Sequence, residues 1–468
     1  MIRRLAAASV TALLLGACVA GPAPQVATPA PALPQDYAFA PAPGDAAALA
    51  ALLPQDDGAF AALSDAALAC APSLGEALAR IDAARAGSAR AGANRLPAVS
   101  ADGAISATRT NPAQFGDSLP GGIAFDTEQT AYGANIAASW DADIFGALRA
   151  SERAALARID AADAGARAVR LALIGEIATS VIDWRVLAAR EDALMQDRNA
   201  AQRLVDLTGA REEAGLSPGF DRVRAEAAAS STRSRLAALE SERVRLIGRL
   251  VSLTGQSAQA VRAQLALSAG ANALPPAPAA MPSQLLANRP DVLAAQAELA
   301  ATDAELAAAA RQRFPRLTLS ATLGLLSFNP GDLFDEDSLI YTLAGGLAAP
   351  LFDGGRIDAE MDRAAANKRA AYAAWRGAVY AALGEAEAGY GAIAAADAES
   401  RAASAERDQL DRAARIADTR YRAGLADFLT VLEARRSADA SGERAAAAMG
   451  RAQRARVLLW QALGGEGA

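Results

Sequence analysis

Parts of this chain repeat one another, and the repeat limits what it can fold into. "DIFGALR" at Asp143–Arg149 echoes "PLFDGGR" at Pro350–Arg356, with Phe145 as far from Phe352 as Arg149 is from Arg356. "EEAGLSPGFDRVRAEA" (Glu212–Ala227) echoes "YRAGLADFLTVLEARR" (Tyr421–Arg436), where Gly215 matches Gly424. "NRLPAVSADGAIS" (Asn94–Ser106) echoes "QRFPRLTLSATLG" (Gln312–Gly324), where Pro97 matches Pro315. Three matches in one order at nearly one offset mark a duplication of long period. The offset widens at the proline pair because the first half carries the longer loop, Thr110–Gln129 against Ser327–Asp337. Each half reads helix, strand, loop, strand, long helix, turn, helix.

The stretches Arg149–Gly215 and Arg356–Gly424 are nearly equal in length. As helices rising 1.5 Å per residue, each would reach roughly 100 Å, more than an ordinary globular core needs. Larger apolar residues recur at three-four spacing: Leu173, Ile177, Val181, Trp184 and Ala188 in one, Met361, Ala365, Tyr372, Trp375, Val379 and Ala386 in the other. Such a stripe packs on a partner helix, and the abundant alanines allow close packing on further faces, as a wall of helices requires. Prolines bar a helix from 272–282, which reads as a linker between a first repeat at 73–271 and a second at 283–468. "NRPDVLAAQAEL" then opens a helix, with Pro290 in its first turn and Asp291 at its positive end.

At the N-terminus, Arg3 and Arg4 precede the apolar run Leu5–Leu15. The run is shorter than the roughly 20 apolar residues a spanning helix needs. With the small residues that follow, it reads as a secretory signal, residues 1–17. "LGAC" at Leu15–Cys18 is similar to the lipobox of bacterial lipoproteins. That resemblance implies a mature chain beginning at Cys18, with diacylglycerol on its sulfur and an acyl chain on its amine. Several acyl chains anchor stably, since each buried CH₂ adds about 0.8 kcal/mol. Val19 stands where an aspartate often signals inner-membrane retention, which favours the outer membrane. An ordinary secreted protein with a cysteine near its cleavage site is the plainer alternative.

Composition removes several function classes. A net charge of -7 gives no basic footprint for nucleic acid. Charged residues, 21% of the chain, interrupt each later apolar stretch, so no transmembrane helix is expected and any crossing must use strands. Histidine is absent, which removes the commonest general base and the commonest metal ligand. No metal site is expected. "LPGGIAF" and "LFDGGRI" have neither Walker nor Rossmann spacing. The carboxylates of "TDAEL" and "GEAEAGY" lie on Ala-rich helical stretches, where a solvated face is their expected place. Carboxylates alone can run glycoside hydrolysis, so these features narrow the enzyme reading without ending it. After lipidation only Cys70 remains, and no internal disulfide can form.

The strands decide the functional reading. Leu317, Leu319, Ala321, Leu323 and Leu325 share one face, opposite Thr318, Ser320, Thr322 and Gly324. Leu339, Tyr341, Leu343 and Leu347 lie opposite Thr342 and small residues. In the first half Val99, Ala101, Gly103 and Ile105 oppose Ser100, Asp102 and Ser106, and Tyr132, Ala134, Ile136, Ala138 and Trp140 oppose Asn135 and Ser139. Strands of about ten residues suit a tilted transmembrane crossing; a soluble sandwich with one wet face is the alternative. Four strands do not close a barrel, and an open edge is not tolerated in lipid. Two copies would give a filled eight-stranded barrel, while three give twelve strands, the smallest multiple that leaves a passage. Asp102 would then line the lumen, with Tyr132, Trp140 and Tyr341 as candidates for an interfacial girdle.

With these stretches in view, the chain resembles outer-membrane efflux proteins of the TolC type, closest to the lipoprotein branch of OprM-like and NodT-like channels. The carrying segments are the lipobox at Cys18, "NRPDV…AQAELAATDAELAAAARQRFPRLTLSA", "WDADIFGALR", "PLFDGGR" and "RYRAGLADFLTVLEARR". They run through nearly the whole mature chain. The resemblance implies an α+β membrane protein: a homotrimer with a twelve-stranded transmembrane β-barrel, four strands per chain, continued by a long periplasmic α-helical barrel. Residues 18–72 would form the lipidated segment and part of an equatorial belt. The implied partners are a periplasmic adaptor, an inner-membrane pump of the resistance-nodulation-division class and outer-membrane lipid. The subunit would be a passive duct without cofactor. A type I secretion exit channel would share this duct, and a periplasmic adaptor-like coiled-coil lipoprotein is the non-channel alternative.

In that family the periplasmic end is closed beside a G-x-x-x-x-L/V-x-x-L-[DE]-A turn, here Gly424–Ala434. The resemblance points to Arg420 and Tyr421 before the turn, Leu429 at an apolar constriction and Glu433 at the inward acidic position. Thr430 stands where some channels carry a second acid, and Asp427 is the candidate to substitute for it. The first-half turn supplies Phe220, Asp221 and Arg224. Three carboxylates near a narrow axis favour cations and repel one another. Arg420 would offset them through a link that an adaptor breaks, so that losing Arg420 or Glu433 loosens the closed state.

Overall fold

The computed structural model describes residues 24–41, 49–111, 127–270 and 274–465. Cys18 and most of the Thr110–Gln129 loop lie outside the described residues. The helices are α1 (Gly58–Cys70), α2 (Pro72–Ala93), α3 (Ala147–Glu213), α4 (Gly219–Thr254), α5 (Ala258–Leu265), α6 (Leu285–Asn288), α7 (Pro290–Arg311), α8 (Arg356–Arg422) and α9 (Phe428–Ala462). The strands are β1 (Ala98–Arg109), β2 (Glu128–Asp141), β3 (Arg316–Ser327) and β4 (Leu339–Ala348). The duplication is written into the element lengths. α3 and α8 each have 67 residues, α2 and α7 each 22, and α4 and α9 have 36 and 35.

One stretch corrects the reading of composition. Gly58–Ala93 is long and apolar enough to cross a bilayer by those measures alone. The chain breaks it in two: Ala71 is extended at φ -61 and ψ 125, and Pro72 opens α2. α1 then buries Ala59, Phe60, Leu63 and Ala67 in a protein core.

Two compact units are distinguished. One comprises Asp82–Asp160 and Gln296–Ala373, with the described residues up to Pro29. It holds a four-stranded antiparallel sheet in the order β1-β2-β3-β4. The middle pairing joins the two halves, matching Ile136 with Leu323 and Trp140 with Leu319. The outer pairings match Ala101 with Ile136 and Leu323 with Tyr341. Val99, Ile105, Tyr132, Ile136, Trp140, Leu319, Leu323, Leu325, Leu339, Tyr341 and Leu343 therefore share one face, as alternation requires, with Leu326 and Ile340 on the other. β1 and β4 are exposed along their whole lengths, each with an outer edge unpaired among the described residues. Beside the sheet, α7 packs Leu306 and Ala310 against Met361 and Ala365 of α8.

The second unit comprises Ala30–Ile81, Ala161–Ala295 and the chain from Ala374 onward. Its core gathers Leu173, Ile177 and Val181 of α3, Val379, Ala386 and Tyr390 of α8, and Val457, Leu459 and Trp460 of α9. Each fully buried residue of this size contributes about 1.5–3 kcal/mol. Of the stripes read from spacing, Leu173, Ile177, Val181, Met361, Ala365, Val379 and Ala386 are buried, while Trp184, Ala188, Tyr372 and Trp375 are half-buried. Tyr37 of the N-terminal segment packs on Tyr390 with ring centroids 5.3 Å apart, and Glu387 accepts from the Ala38 and Phe39 backbone N–H groups at 2.8 and 3.2 Å.

Candidate functional site

The sheet carries the first candidate surface. Asp102, Asn135 and Gly324 stand in one row across β1, β2 and β3. Asn135 donates from Nδ2 to Asp102 Oδ2 at 3.3 Å. A Cβ at Gly324 would lie 2.0 Å from Asn135 Oδ1, so the glycine is the space the amide occupies. Asp102 therefore lies on the polar face. Trp140, on the apolar face, donates from Nε1 to the Arg95 carbonyl at 2.8 Å, while Tyr132 and Tyr341 share its face.

The two hairpin tips of the other unit carry the second. Each long helix ends in the same motif. Gly215, at φ 73, donates to the Glu212 carbonyl and Leu216 to that of Arg211; Gly424, at φ 73, donates to Tyr421 and Leu425 to Arg420. Only glycine adopts this left-handed turn without a Cβ penalty. The turn holds Leu216 and Leu425 outward, both 69% exposed, and Phe220, Val223 and Leu429 are exposed beside them. At the second turn, Asp427 caps α9, accepting from Thr430 N at 2.8 Å. The Asp427 carboxylate is thus held in a capping geometry, and Thr430 is its partner.

Tyr421 is 3% exposed, inside a cluster with Leu204, Ala225, Phe428, Val431 and Leu432. Arg211 lies over its ring at 5.0 Å, and Phe428 meets it edge-on at 6.3 Å. Its hydroxyl is buried without a hydrogen-bond partner among the described residues. Burial raises its pKa above the ordinary tyrosine value, Arg211 opposes the rise and Asp221 adds to it. Arg224 stacks on Phe220 at 5.1 Å. Arg420 and Glu433 are exposed, and among the described residues neither has an ion-pair partner. The structure therefore brings Tyr421, Asp221 and Arg211 together, and leaves Arg420, Leu429 and Glu433 free at the surface.

Sequence reasoning missed the ion pairs that tie the tips. Asp418 accepts from Arg422 at 2.9 Å and faces Arg435 at 3.4 Å, linking α8 to α9. Arg222 donates to Glu212 at 2.7 Å and to Glu226 at 3.2 Å, linking α3 to α4. The i,i+4 spacing of Asp418 with Arg422 and of Arg222 with Glu226 was the available signal.

The profile of the family described as outer membrane efflux protein matches residues 63–256 and 281–465. The chain is 31% identical over 397 residues to the pyoverdine export outer membrane protein OpmQ of Pseudomonas aeruginosa, covering 84% of this chain and 82% of that one. It is 29% identical over 472 residues to the outer membrane protein OprJ of the same organism, covering 97% and 94%. Among solved structures, a membrane protein from Pseudomonas aeruginosa superposes with a TM-score of 0.84 at 27% identity, covering 95% of this chain and 97% of that one.

Proposed function

The chain belongs to the outer membrane efflux protein family, and from that premise we propose that three copies form the exit duct of a tripartite efflux system in a bacterial outer membrane. The open sheet carries this reading. Among the described residues both edges are unpaired, one face is apolar and the other carries the polar side chains. β1 and β4 run antiparallel, so β4 of one copy pairs with β1 of the next by rotation about an axis, and the ring closes. Closure removes the edges that lipid forbids. It also turns Asp102, Asn135, Thr322 and Thr342 toward water. Twelve strands leave a passage, and the helical hairpins wall the periplasmic part of the duct.

The cargo comes from elsewhere. A periplasmic adaptor and an inner-membrane pump of the resistance-nodulation-division class are the proposed partners, and the pump supplies the energy. The relative named for pyoverdine export supports outward conduction. Lipidation at Cys18 adds an anchor, and Cys18→Ser should end incorporation of labelled acyl chains. Crosslinking and mass analysis of purified outer membranes tests the assembly: a heat-modifiable trimer with a co-purifying adaptor is expected. A water-soluble monomer without heat-modifiable sheet overturns it.

A further inference from the structure

Four arginines converge where the sheet gives way to helices. Arg95 precedes β1, Arg149 and Arg153 lie in the first turns of α3, and Arg311 ends α7. With Ile144 and Phe145 they line an open pocket of about 570 Å³. Among the described residues, two carboxylates oppose them. Glu152 pairs with Arg95. Asp143 lies 3.6 Å from Arg149 Nε but also caps α3, accepting from the Leu148 and Arg149 backbone N–H groups at 2.9 Å each. Arg153 has no partner among the described residues. Arg311 Nη1 is buried and has no hydrogen-bond partner among the described residues. Burying a guanidinium N–H unmet costs free energy comparable to a lost hydrogen bond, more for a charged group. The pocket thus holds an excess of positive charge with donors unused.

Its surroundings are apolar. Phe145 stacks on Phe314 at 4.9 Å, and Ile144 is exposed beside it. The Arg95 carbonyl holds the Trp140 indole N–H, which ties the pocket to the lipid-facing side of the sheet. Indole and phenyl rings beside guanidinium groups at the end of transmembrane strands suit the headgroup layer. We propose that this pocket binds the phosphate of an anionic phospholipid in the inner leaflet of the outer membrane, with its acyl chains against Ile144 and Phe145. The inference rests on the barrel reading above. Arg153 and Arg311 supply the free donors, and the planar guanidinium suits phosphate oxygens bidentately.

Native mass spectrometry of the full-length trimer in detergent tests this, with phosphatidylglycerol, phosphatidylcholine or inorganic phosphate added. Phosphatidylglycerol should be retained in preference to phosphatidylcholine and should resist millimolar phosphate. Arg153→Ala, at an exposed position without a hydrogen bond or ion pair among the described residues, should weaken its retention about fivefold, as expected for one basic residue at an anionic surface; Arg311→Ala should weaken it at least as much. Equal retention of the two lipids, displacement by inorganic phosphate, or unchanged retention in Arg153→Ala overturns the site while the heat-modifiable trimer band persists. Absence of that band in the unmodified protein strikes the barrel reading itself.

Discussion

Asp197 of α3 and Asp439 of α9 face one another in the second unit, with Arg235 of α4 and Arg435 and Glu443 of α9 around them. Burial, then the Asp439 carboxylate, pushes Asp197 up to about 8, and Arg235 opposes the rise. Burial also raises Asp439. A carboxyl that holds its proton more tightly when folded contributes stability fully present below its unfolded pKa, and that stability is lost as pH climbs toward the folded value. The assembly should therefore lose on the order of 1 kcal/mol of stability, once solvent screening is discounted, as pH rises from about 4 toward 8, read as a fall in melting temperature. Asp197→Asn keeps a donor for Asp439 and should flatten that slope; identical slopes in melting curves would refute the pair. At the tip, Arg420 is exposed and has no ion-pair partner among the described residues, so the gate reading requires its counter-charge to come from a second copy. Arg420→Ser should raise single-channel conductance in planar bilayers, and Glu433→Ala should reduce cation preference in a salt gradient. Wild-type values for both would sink the gate assignment.

Among the elements, the repeat made helix length and strand face legible. α3 and α8 end at matched glycines because a left-handed turn needs them, and period-two alternation sorted Leu323 from Thr322. How the helices align was not legible. An Ala-rich helix with an apolar stripe can slide by one turn and keep the stripe, so spacing does not choose between registers. Charges that fix the register come from distant positions. Arg456, 2% exposed, donates to both Asp397 oxygens at 2.8 and 3.0 Å and to the Pro275 carbonyl at 2.8 Å, joining α9 to α8 and to the Pro-rich linker. Nothing in the sequence pairs those three. Similarly, Tyr421 stands at a position the family resemblance marks for the gate, yet its side chain lies inside the tip cluster, because Leu204 and Ala225 come from the other hairpin. Arg456→Ala leaves Asp397 without its partner and should destabilise the chain by about 3–5 kcal/mol, read as a fall in melting temperature. A loss no larger than for the exposed Arg153→Ala would show that the pair does not set the register.

For the whole molecule, the decisive matter is which side of the sheet meets lipid. Leu343 is 81% exposed in the single chain, in mid-strand on the face shared with Leu323 and Tyr341, while Thr342 pairs with Thr322 on the opposite face. One residue therefore separates hydrocarbon from water. A positive charge at the bilayer midplane on the lipid side of a barrel costs about 2–4 kcal/mol, and a threefold ring incurs it three times. Leu343→Arg should abolish the heat-modifiable trimer in outer membranes. Thr342→Arg should leave the trimer intact, because its charge sits in the water-filled lumen, and should shift ion preference toward anions. A soluble sandwich makes the opposite demand. There the Leu face is a packed core and the Thr face is wet, so Leu343→Arg would unfold the chain in detergent-free buffer and Thr342→Arg would alter no conductance. The two substitutions together thus separate a lipid-facing wall from a buried core by assembly and ion selectivity.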